Sequence, residues 1–129
     1  MLAVDDEPRF RSALRALVEA TWPDAELDEA GTGEGAMGLV AERERDVVLI
    51  DVRMPGVGGI EATGAIKRMS PETVVLLVSS AHRDELPREF DGCPADVVVS
   101  KAQLRPQLLR EVWASHAGRR AAGIGQIAD

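Results

Sequence analysis

The stretch VVLIDVRMPG, from Val47 to Gly56, decides the fold. Its first four residues are β-branched or leucine, which is typical of a strand that is covered on both faces. The run then ends on a carboxylate, Asp51, and a Met-Pro-Gly segment follows shortly afterwards. A core strand that ends on a charged residue predicts a parallel sheet with a polar site along one edge.

Similar strand patterns recur along the chain, and helical patterns separate them. Strands are predicted over residues 2–4, 25–30, 47–50, 74–78 and 97–99. Helices are predicted over residues 8–21, around 36–40, over 60–69 and around 108–113, with a short, proline-interrupted helix over 84–90. This alternation predicts an α/β fold, in which five parallel strands carry helices on both faces of the sheet.

Two local features carry predictions of their own. Asp6 or Glu7 stands where a side chain can cap the first helix, and Pro8 suits the first helical turn. The charged run from Glu42 to Asp46 predicts a solvated helix end.

Composition limits the classes of protein and partner. The 129 residues suit one domain, predicted over residues 1–116, with 117–129 as a flexible tail or the start of a linker. A net charge of −7 argues against binding nucleic acid or an anionic membrane. The sequence shows no secretory signal and no membrane-spanning run, and its single cysteine excludes an internal disulfide. We therefore expect a cytoplasmic protein.

Polar residues stand at the ends of four predicted strands. Asp5 and Asp6 follow the first strand, Asp51 the third, Ser79 the fourth and Lys101 the fifth. Parallel strands share one carboxyl edge, so these groups are expected to converge there. Three nearby carboxylates need a cation, and Mg²⁺, an oxygen-binding metal, fits together with the lysine. One carboxylate could then act as a nucleophile toward a phosphoryl group.

Each of these residues also has an ordinary structural explanation. An aspartate after a strand commonly caps a helix, a lone lysine is commonly solvated, and a strand-end serine commonly bonds the backbone. Only their joint occurrence at matching strand ends favours a functional site.

Four segments carry a resemblance to a known family: AVDDEP from Ala3, VVLIDVRMPGVGGIEA from Val47, VLLVSS from Val75 and VVVSK from Val97. In this order and spacing they resemble the receiver domain of bacterial two-component response regulators, including the chemotaxis-type single domains. The resemblance covers the chain from about residue 2 to 114. It implies a flavodoxin-like sheet with strand order 2-1-3-4-5.

The resemblance also implies a role for each acidic residue. Asp51 would be the phosphoacceptor, and Asp6 and Asp51 would bind Mg²⁺ through their side chains. Arg53 would bind the metal through its main-chain carbonyl, and Asp5 would hold the water shell of the metal.

The remaining roles follow from the same resemblance. Ser79 would be the switch hydroxyl, and Lys101 would contact the phosphoryl oxygens. The donor would be a histidine kinase or a histidine phosphotransfer protein. An output domain outside this chain, with transcription as one candidate output, and a homodimer formed on phosphorylation are further implied partners.

Three positions bear on how such a switch would behave here. The family usually has an aromatic residue three positions before the lysine, where this chain has Val98. Arg53 and Ala81 stand two residues after Asp51 and Ser79. The resemblance implies that these two positions would flank the path of attacking water. A cation at position 53 predicts a shielded, long-lived acyl phosphate.

A stand-alone receiver that shuttles phosphate or contacts a partner protein stays open beside a receiver with an output domain. Two further interpretations compete with a receiver. The first is an Mg²⁺-dependent phosphatase with an aspartyl-phosphate intermediate, although Arg53 occupies the place where such enzymes carry their general acid. The second is a dinucleotide site at GTGEGA, from Gly31 to Ala36, although the strand before it is acidic. A tight turn explains this glycine-rich segment better.

Overall fold

A single parallel sheet of five strands forms the centre of the molecule. The structure, a computed structural model, describes residues 1–80 and 93–116. The sheet has the order β2-β1-β3-β4-β5, and all four strand pairs are parallel. The predicted α/β class and strand order are thereby confirmed. The strands are β1 (Leu2–Val4), β2 (Asp28–Ala30), β3 (Val47–Asp51), β4 (Val74–Ser79) and β5 (Val97–Ser100).

Helices follow four of the five strands within the described residues. They are α1 (Pro8–Thr21), α2 (Gly33–Glu42), α3 (Gly59–Met69) and a final helix described over residues 106–116. A short 3-10 turn, Lys101–Gln103, connects β5 to the segment before the final helix. The predicted helix over 84–90 and the predicted tail over 117–129 lie outside the described residues. None of the described helices has the length and the apolar run that a membrane crossing requires.

The core has two halves because successive strand residues point to opposite faces of the sheet. On one face, Val48 and Ile50 of β3 belong to a buried cluster with Ala62 and Ile66 of α3. On the other face, Leu49 belongs to a second buried cluster, which includes residues of α1 and of the final helix. Burial on both faces is what the continuous apolar runs predicted.

The second strand is shorter than predicted. The alternating pattern suggested residues 25–30, but β2 contains only Asp28–Ala30. The N–H of Ala25 donates to the carbonyl of Trp22 at 3.0 Å, so Ala25 belongs to the turn that closes α1. The strand begins only after this turn.

The predicted side-chain cap of α1 is wrong. Glu7 occupies the N-cap position, but its side chain makes no capping hydrogen bond. Instead, Asp5 Oδ1 accepts a hydrogen bond of 2.8 Å from the N–H of Glu7. The side chain that bonds the backbone at the entry to α1 is therefore that of Asp5, which directly follows β1.

The charged run after α2 is also less solvated than predicted. Arg45 is only 4 % exposed and forms an ion pair with Asp28 of β2. Its Nη2 donates to the carbonyl of Leu39, and its own carbonyl accepts from the hydroxyl of Thr73 at 2.7 Å. These partners offset the burial of the Arg45 charge, although its Nε has no hydrogen-bond partner within the described residues.

A close backbone approach at Gly59 holds the start of α3 against the end of β3. A Cβ atom at this position would lie 2.0 Å from the carbonyl oxygen of Asp51. The N–H of Gly59 donates to the carbonyl of Val52 at 2.9 Å. Only glycine allows α3 to begin this close to the functional edge of the sheet.

We therefore expect Gly59→Ala to destabilise the protein by about 3 kcal/mol, because the added methyl group must displace backbone. Gly38→Ala is the matched control, since Gly38 lies in α2 with open space around it. That change should stabilise the protein by about 0.5–1 kcal/mol through helix propensity. Urea unfolding of both variants measures the two effects. Equal stability of the two variants would contradict the steric argument.

Candidate functional site

The carboxyl ends of four strands bring the predicted polar residues to one edge of the sheet. Asp51 is the last residue of β3 and Ser79 the last residue of β4. Asp5 and Asp6 directly follow β1, and Lys101 directly follows β5. The parallel register aligns these ends, as the sequence predicted.

Strand register fixes the relative height of the central residues. Asp51 pairs with Val78, and Ser79 pairs with Ser100. The N–H of Val52 donates to the carbonyl of Val78 at 3.0 Å, which continues the ladder past Asp51. Ser79 is buried and lies one strand over and one residue further along than Asp51.

Three carboxylates form a compact cluster at this edge. Asp5, Asp6 and Asp51 each offer an oxygen, and these three oxygens lie within 4.8 Å of one another. Asp5 is 1 % exposed and Asp51 is 8 % exposed, whereas Asp6 is exposed to solvent. The cluster therefore concentrates negative charge in a site that is open on the side of Asp6.

Lys101 is the cation next to this cluster. Its Nζ lies 3.6 Å from Asp5 Oδ2 and 3.7 Å from Asp51 Oδ1. The same Nζ lies 3.9 Å from the centroid of the Phe10 ring on α1. The ammonium group thus contacts two anions and one aromatic face.

Backbone and side-chain contacts hold Asp5 in place. Its N–H donates to the carbonyl of Ala30 at 3.1 Å, and its carbonyl accepts from Arg11 Nη1 at 2.7 Å. One carboxylate oxygen, Oδ1, accepts from the N–H of Glu7. The other oxygen, Oδ2, is buried and finds no hydrogen-bond donor among the described residues.

The environment of Asp51 disfavours its negative charge. Burial is the main cause, and together with the charge of Asp5 it raises the pKa of Asp51 from 3.8 to about 6. Asp6 acts in the same direction. Lys101 and a hydrogen bond from the backbone of Arg53 oppose this rise in pKa. Asp51 is therefore largely ionised at neutral pH, but at a cost in free energy.

The loop after Asp51 is attached to the start of α2. Glu34 Oε1 accepts a hydrogen bond of 2.8 Å from the N–H of Val57. Its carboxylate also lies beside Gly56, whose φ of 73° favours glycine. The GTGEGA segment therefore forms a helix start that directs an acidic side chain toward its neighbouring loop. This arrangement is unsuited to a dinucleotide pyrophosphate.

The donor set fits a hard divalent cation. All three candidate side chains supply carboxylate oxygens, which Mg²⁺ prefers. The buried Asp5 Oδ2 lacks a hydrogen-bond donor within residues 1–80 and 93–116, so a metal or its bound water could satisfy it. The residues present are therefore compatible with Mg²⁺.

The other predicted residues occupy different surroundings. Arg53 lies in the loop after β3, and its side chain is exposed. Val98 is half-buried in β5, where it packs against the core cluster on the α3 face of the sheet. Ala81 lies outside the described residues, so its predicted effect on phosphate lifetime stays a prediction.

Sequence reasoning missed two residues of the site. Phe10 fitted the apolar stripe of α1, and nothing in that pattern indicated its contact with Lys101. Glu34 stood in a glycine-rich turn that suggested only flexibility. The available signals were an aromatic residue one turn after the acidic pair and a lone acid at a helix start.

The chain belongs to the response regulator receiver domain family, whose model matches residues 1–112. It is 29 % identical to the response regulator GacA of Pseudomonas aeruginosa over 93 % of this chain and 56 % of that protein. It is 30 % identical to the transcriptional regulatory protein ResD of Bacillus subtilis over 85 % of this chain and 45 % of that protein. The chain spans about half the length of these relatives.

Solved structures show the same fold. The response regulator TrrA of Thermotoga maritima, in complex with Mg²⁺-BeF, is 30 % identical with a TM-score of 0.69. The alignment covers 86 % of this chain and 93 % of TrrA. A CheY-like receiver domain protein of Methanospirillum hungatei JF-1 has a TM-score of 0.77 at 18 % identity, covering 94 % and 95 % of the two chains. This second likeness concerns the fold alone.

The raised pKa of Asp51 predicts a pH-dependent effect of Asp51→Asn on stability without divalent cations. The folded pKa is about 6 and the ordinary value is 3.8. The folded protein binds the Asp51 proton more tightly than the unfolded chain does. This contribution to the free energy of unfolding is fully present below about pH 4 and is lost as the pH rises through 6. At pH 7.5 we expect Asp51→Asn to be more stable than the wild type by roughly 2 kcal/mol.

This advantage should stay nearly constant above the folded pKa of about 6 and shrink as the pH falls from there toward the ordinary value of 3.8. Urea unfolding in EDTA, at several pH values, measures the difference between the two proteins. All other titrating groups are common to both proteins, so they largely cancel in this comparison. A stability difference that is independent of pH would show that Asp51 is not destabilised by its charge.

Proposed function

We propose that this receiver domain is a phosphorylation-controlled signalling switch whose phosphoacceptor is Asp51. The single observation that carries the proposal is the cluster of Asp5, Asp6 and Asp51 beside Lys101 at the carboxyl edge of the sheet. The family match and the likeness to TrrA, which was solved with Mg²⁺-BeF, support the same conclusion.

Asp51 is the best placed of the three carboxylates to act as the nucleophile. It ends the central strand β3, which lies next to β1 in the sheet, and its Oδ1 is 3.7 Å from Lys101 Nζ. One of its oxygens forms the new O–P bond while the P–N bond to the donor histidine breaks. The donor nitrogen keeps that electron pair. Asp6, Asp51 and the Arg53 carbonyl would hold Mg²⁺, and Asp5 would hold its water shell. The bound metal would neutralise negative charge on the phosphoryl group.

Lys101 and Ser79 respond to the new anion. Lys101 Nζ is already 3.7 Å from Asp51, so it can pair with a phosphoryl oxygen after a small movement. Ser79, at the end of the adjacent strand, supplies a hydroxyl that can follow the phosphoryl group. Such a change alters function only if it biases an element with two arrangements. The same site would also catalyse the later hydrolysis of the acyl phosphate.

The partners are those that this chemistry requires. The phospho-donor is a histidine kinase or a histidine phosphotransfer protein in the cytoplasm. Residues 1–116 form the receiver in this proposal, with residues 117–129 as a flexible tail or the start of a linker. The relatives are about twice as long as this chain, and one is named a transcriptional regulatory protein, so we propose transcription as the output. A homodimer formed on phosphorylation would serve that output.

The proposal predicts that acetyl phosphate with Mg²⁺ adds a single phosphoryl group to the protein. Intact-mass measurement should detect it in the wild type and lose it in Asp51→Asn and in EDTA. Lys101→Ala should slow the transfer by about 10²-fold, the usual effect of losing one charge-stabilising group. Asp46→Asn is a matched control, because Asp46 lies at the opposite edge of the sheet. An unmodified wild type, or modification that persists in Asp51→Asn, would contradict the proposal.

The same samples separate the switch from an aspartyl-phosphate phosphatase. A switch should turn over small phosphate esters no faster than buffer does. Sustained ester hydrolysis that disappears in Asp51→Asn would favour the phosphatase instead.

The exposed cation at position 53 predicts a long-lived phosphorylated state. Arg53→Asn should accelerate loss of the phosphoryl group about three- to tenfold, because a charge-assisted shield over the acyl phosphate is removed. The decay of phosphorylated protein after removal of acetyl phosphate measures this rate. Arg110→Asn, an exposed arginine of the final helix, is the control. An unchanged decay rate in Arg53→Asn would exclude shielding by Arg53.

A further inference from the structure

The ammonium group of Lys101 contacts an aromatic face as closely as it approaches its anions. Its Nζ lies 3.9 Å from the centroid of the Phe10 ring, within the range of a cation–π interaction. The distances to Asp5 and Asp51, 3.6 and 3.7 Å, are longer than a usual charge-assisted hydrogen bond. The Phe10 ring therefore contributes to the position of the Lys101 ammonium group.

The Phe10 ring is held firmly. It is half-buried on α1 and packs against the core cluster that includes Leu14 and Leu109. The start of α1 is fixed in turn, because Arg11 Nη1 donates to the carbonyl of Asp5 at 2.7 Å. Phe10 thus presents a fixed surface next to the carboxylate cluster.

The backbone of Lys101 is fixed as well, but its side chain is not. Gln103 Oε1 accepts from the N–H of Ser100 at 2.9 Å, and the N–H of Leu104 donates to the carbonyl of Lys101 at 3.3 Å. The lysine side chain is 27 % exposed. Its long, flexible stem would otherwise sample several positions, so a fixed contact near the charged end restricts it.

Phe10 is the aromatic residue that the described structure places at this edge. The chain has no tyrosine, two phenylalanines and two tryptophans. Trp22 and Trp113 line a cleft of about 560 Å³ with Met1 and Val47, at the amino ends of the strands. Phe90 lies outside the described residues.

We propose that Phe10 is a positioning residue, which holds the Lys101 ammonium ready for the phosphoryl group through a cation–π contact. The role of Lys101 in this statement rests on the proposed function, whereas the contact itself does not. The ring attracts the cation without offering a competing anion. Lys101 therefore stays near Asp51 even when a bound cation neutralises the carboxylates. Through Phe10, the Lys101 ammonium group also contacts α1.

The contact can be observed directly, because the chain contains only two lysines, Lys67 and Lys101. Protein labelled with ¹³C at the lysine ε position should give two signals in a heteronuclear NMR spectrum. The ring current of Phe10 should shift the Lys101 ε protons upfield. Lys67 bonds the carbonyls of Pro71 and Thr73 and the carboxylate of Asp96, so it serves as an internal control.

In Phe10→Leu, which keeps an apolar side chain, the Lys101 signal should lose its upfield shift while the Lys67 signal stays in place. Phosphorylation by acetyl phosphate should become about three- to tenfold slower, the range expected for losing a partly exposed cation–π contact. Trifluorophenylalanine at position 10 keeps the shape of the ring but weakens its negative face. This replacement should slow phosphorylation by an intermediate factor.

The two proposals fail in distinguishable ways. An unphosphorylated wild type would overturn the proposed function, while the NMR signal of Lys101 would still test the contact. A wild type that is phosphorylated on Asp51, with an unchanged Lys101 signal in Phe10→Leu, would overturn the positioning role. A lost upfield shift in Phe10→Leu with an unchanged phosphorylation rate would also overturn the positioning role. The same holds if fluorination of the ring leaves the phosphorylation rate unchanged.

Discussion

Electrostatic repulsion among three carboxylates is the constraint on which this site depends. Asp5 and Asp51 are nearly inaccessible to solvent, yet their oxygens lie within 4.8 Å of each other and of Asp6. Like charges this close and this buried are unfavourable unless cations offset them. Lys101 supplies one positive charge, but burial and then the charge of Asp5 still raise the pKa of Asp51. The carboxylate oxygens of this cluster are compatible with a hard divalent cation.

The parallel sheet holds the three carboxylates close together because it fixes the backbone on which they stand. Three strands supply the carboxylates and the lysine, and their ladders hold the strand ends at set heights. Gly59 lets α3 begin directly against the carbonyl of Asp51, and Glu34 ties the following loop to α2. Because the core on both faces is aliphatic and fully buried, the repulsion cannot relax by moving the strands apart.

Charged residues inside this fold are stable only where several partners surround them. Arg45 pairs with Asp28 and donates to a carbonyl of α2, and Lys67 bonds two carbonyls and Asp96. Lys101 differs from both, because its partners are two carboxylates and an aromatic ring, and no carbonyl is among them within the described residues. The lysine at the carboxyl edge of the sheet is thus held by two anions and one aromatic face.

The sequence by itself determined the fold class and the ends of most strands, because the periodicity of buried strands and helices is a local property. It also predicted which acidic residues would share an edge, since parallel strands align their carboxyl ends. Only the tertiary structure decided that Phe10 faces Lys101, that Glu34 holds the loop at Val57 and that Arg45 is buried. These contacts join residues far apart in the chain, and side-chain packing in three dimensions leaves no periodic trace in the sequence.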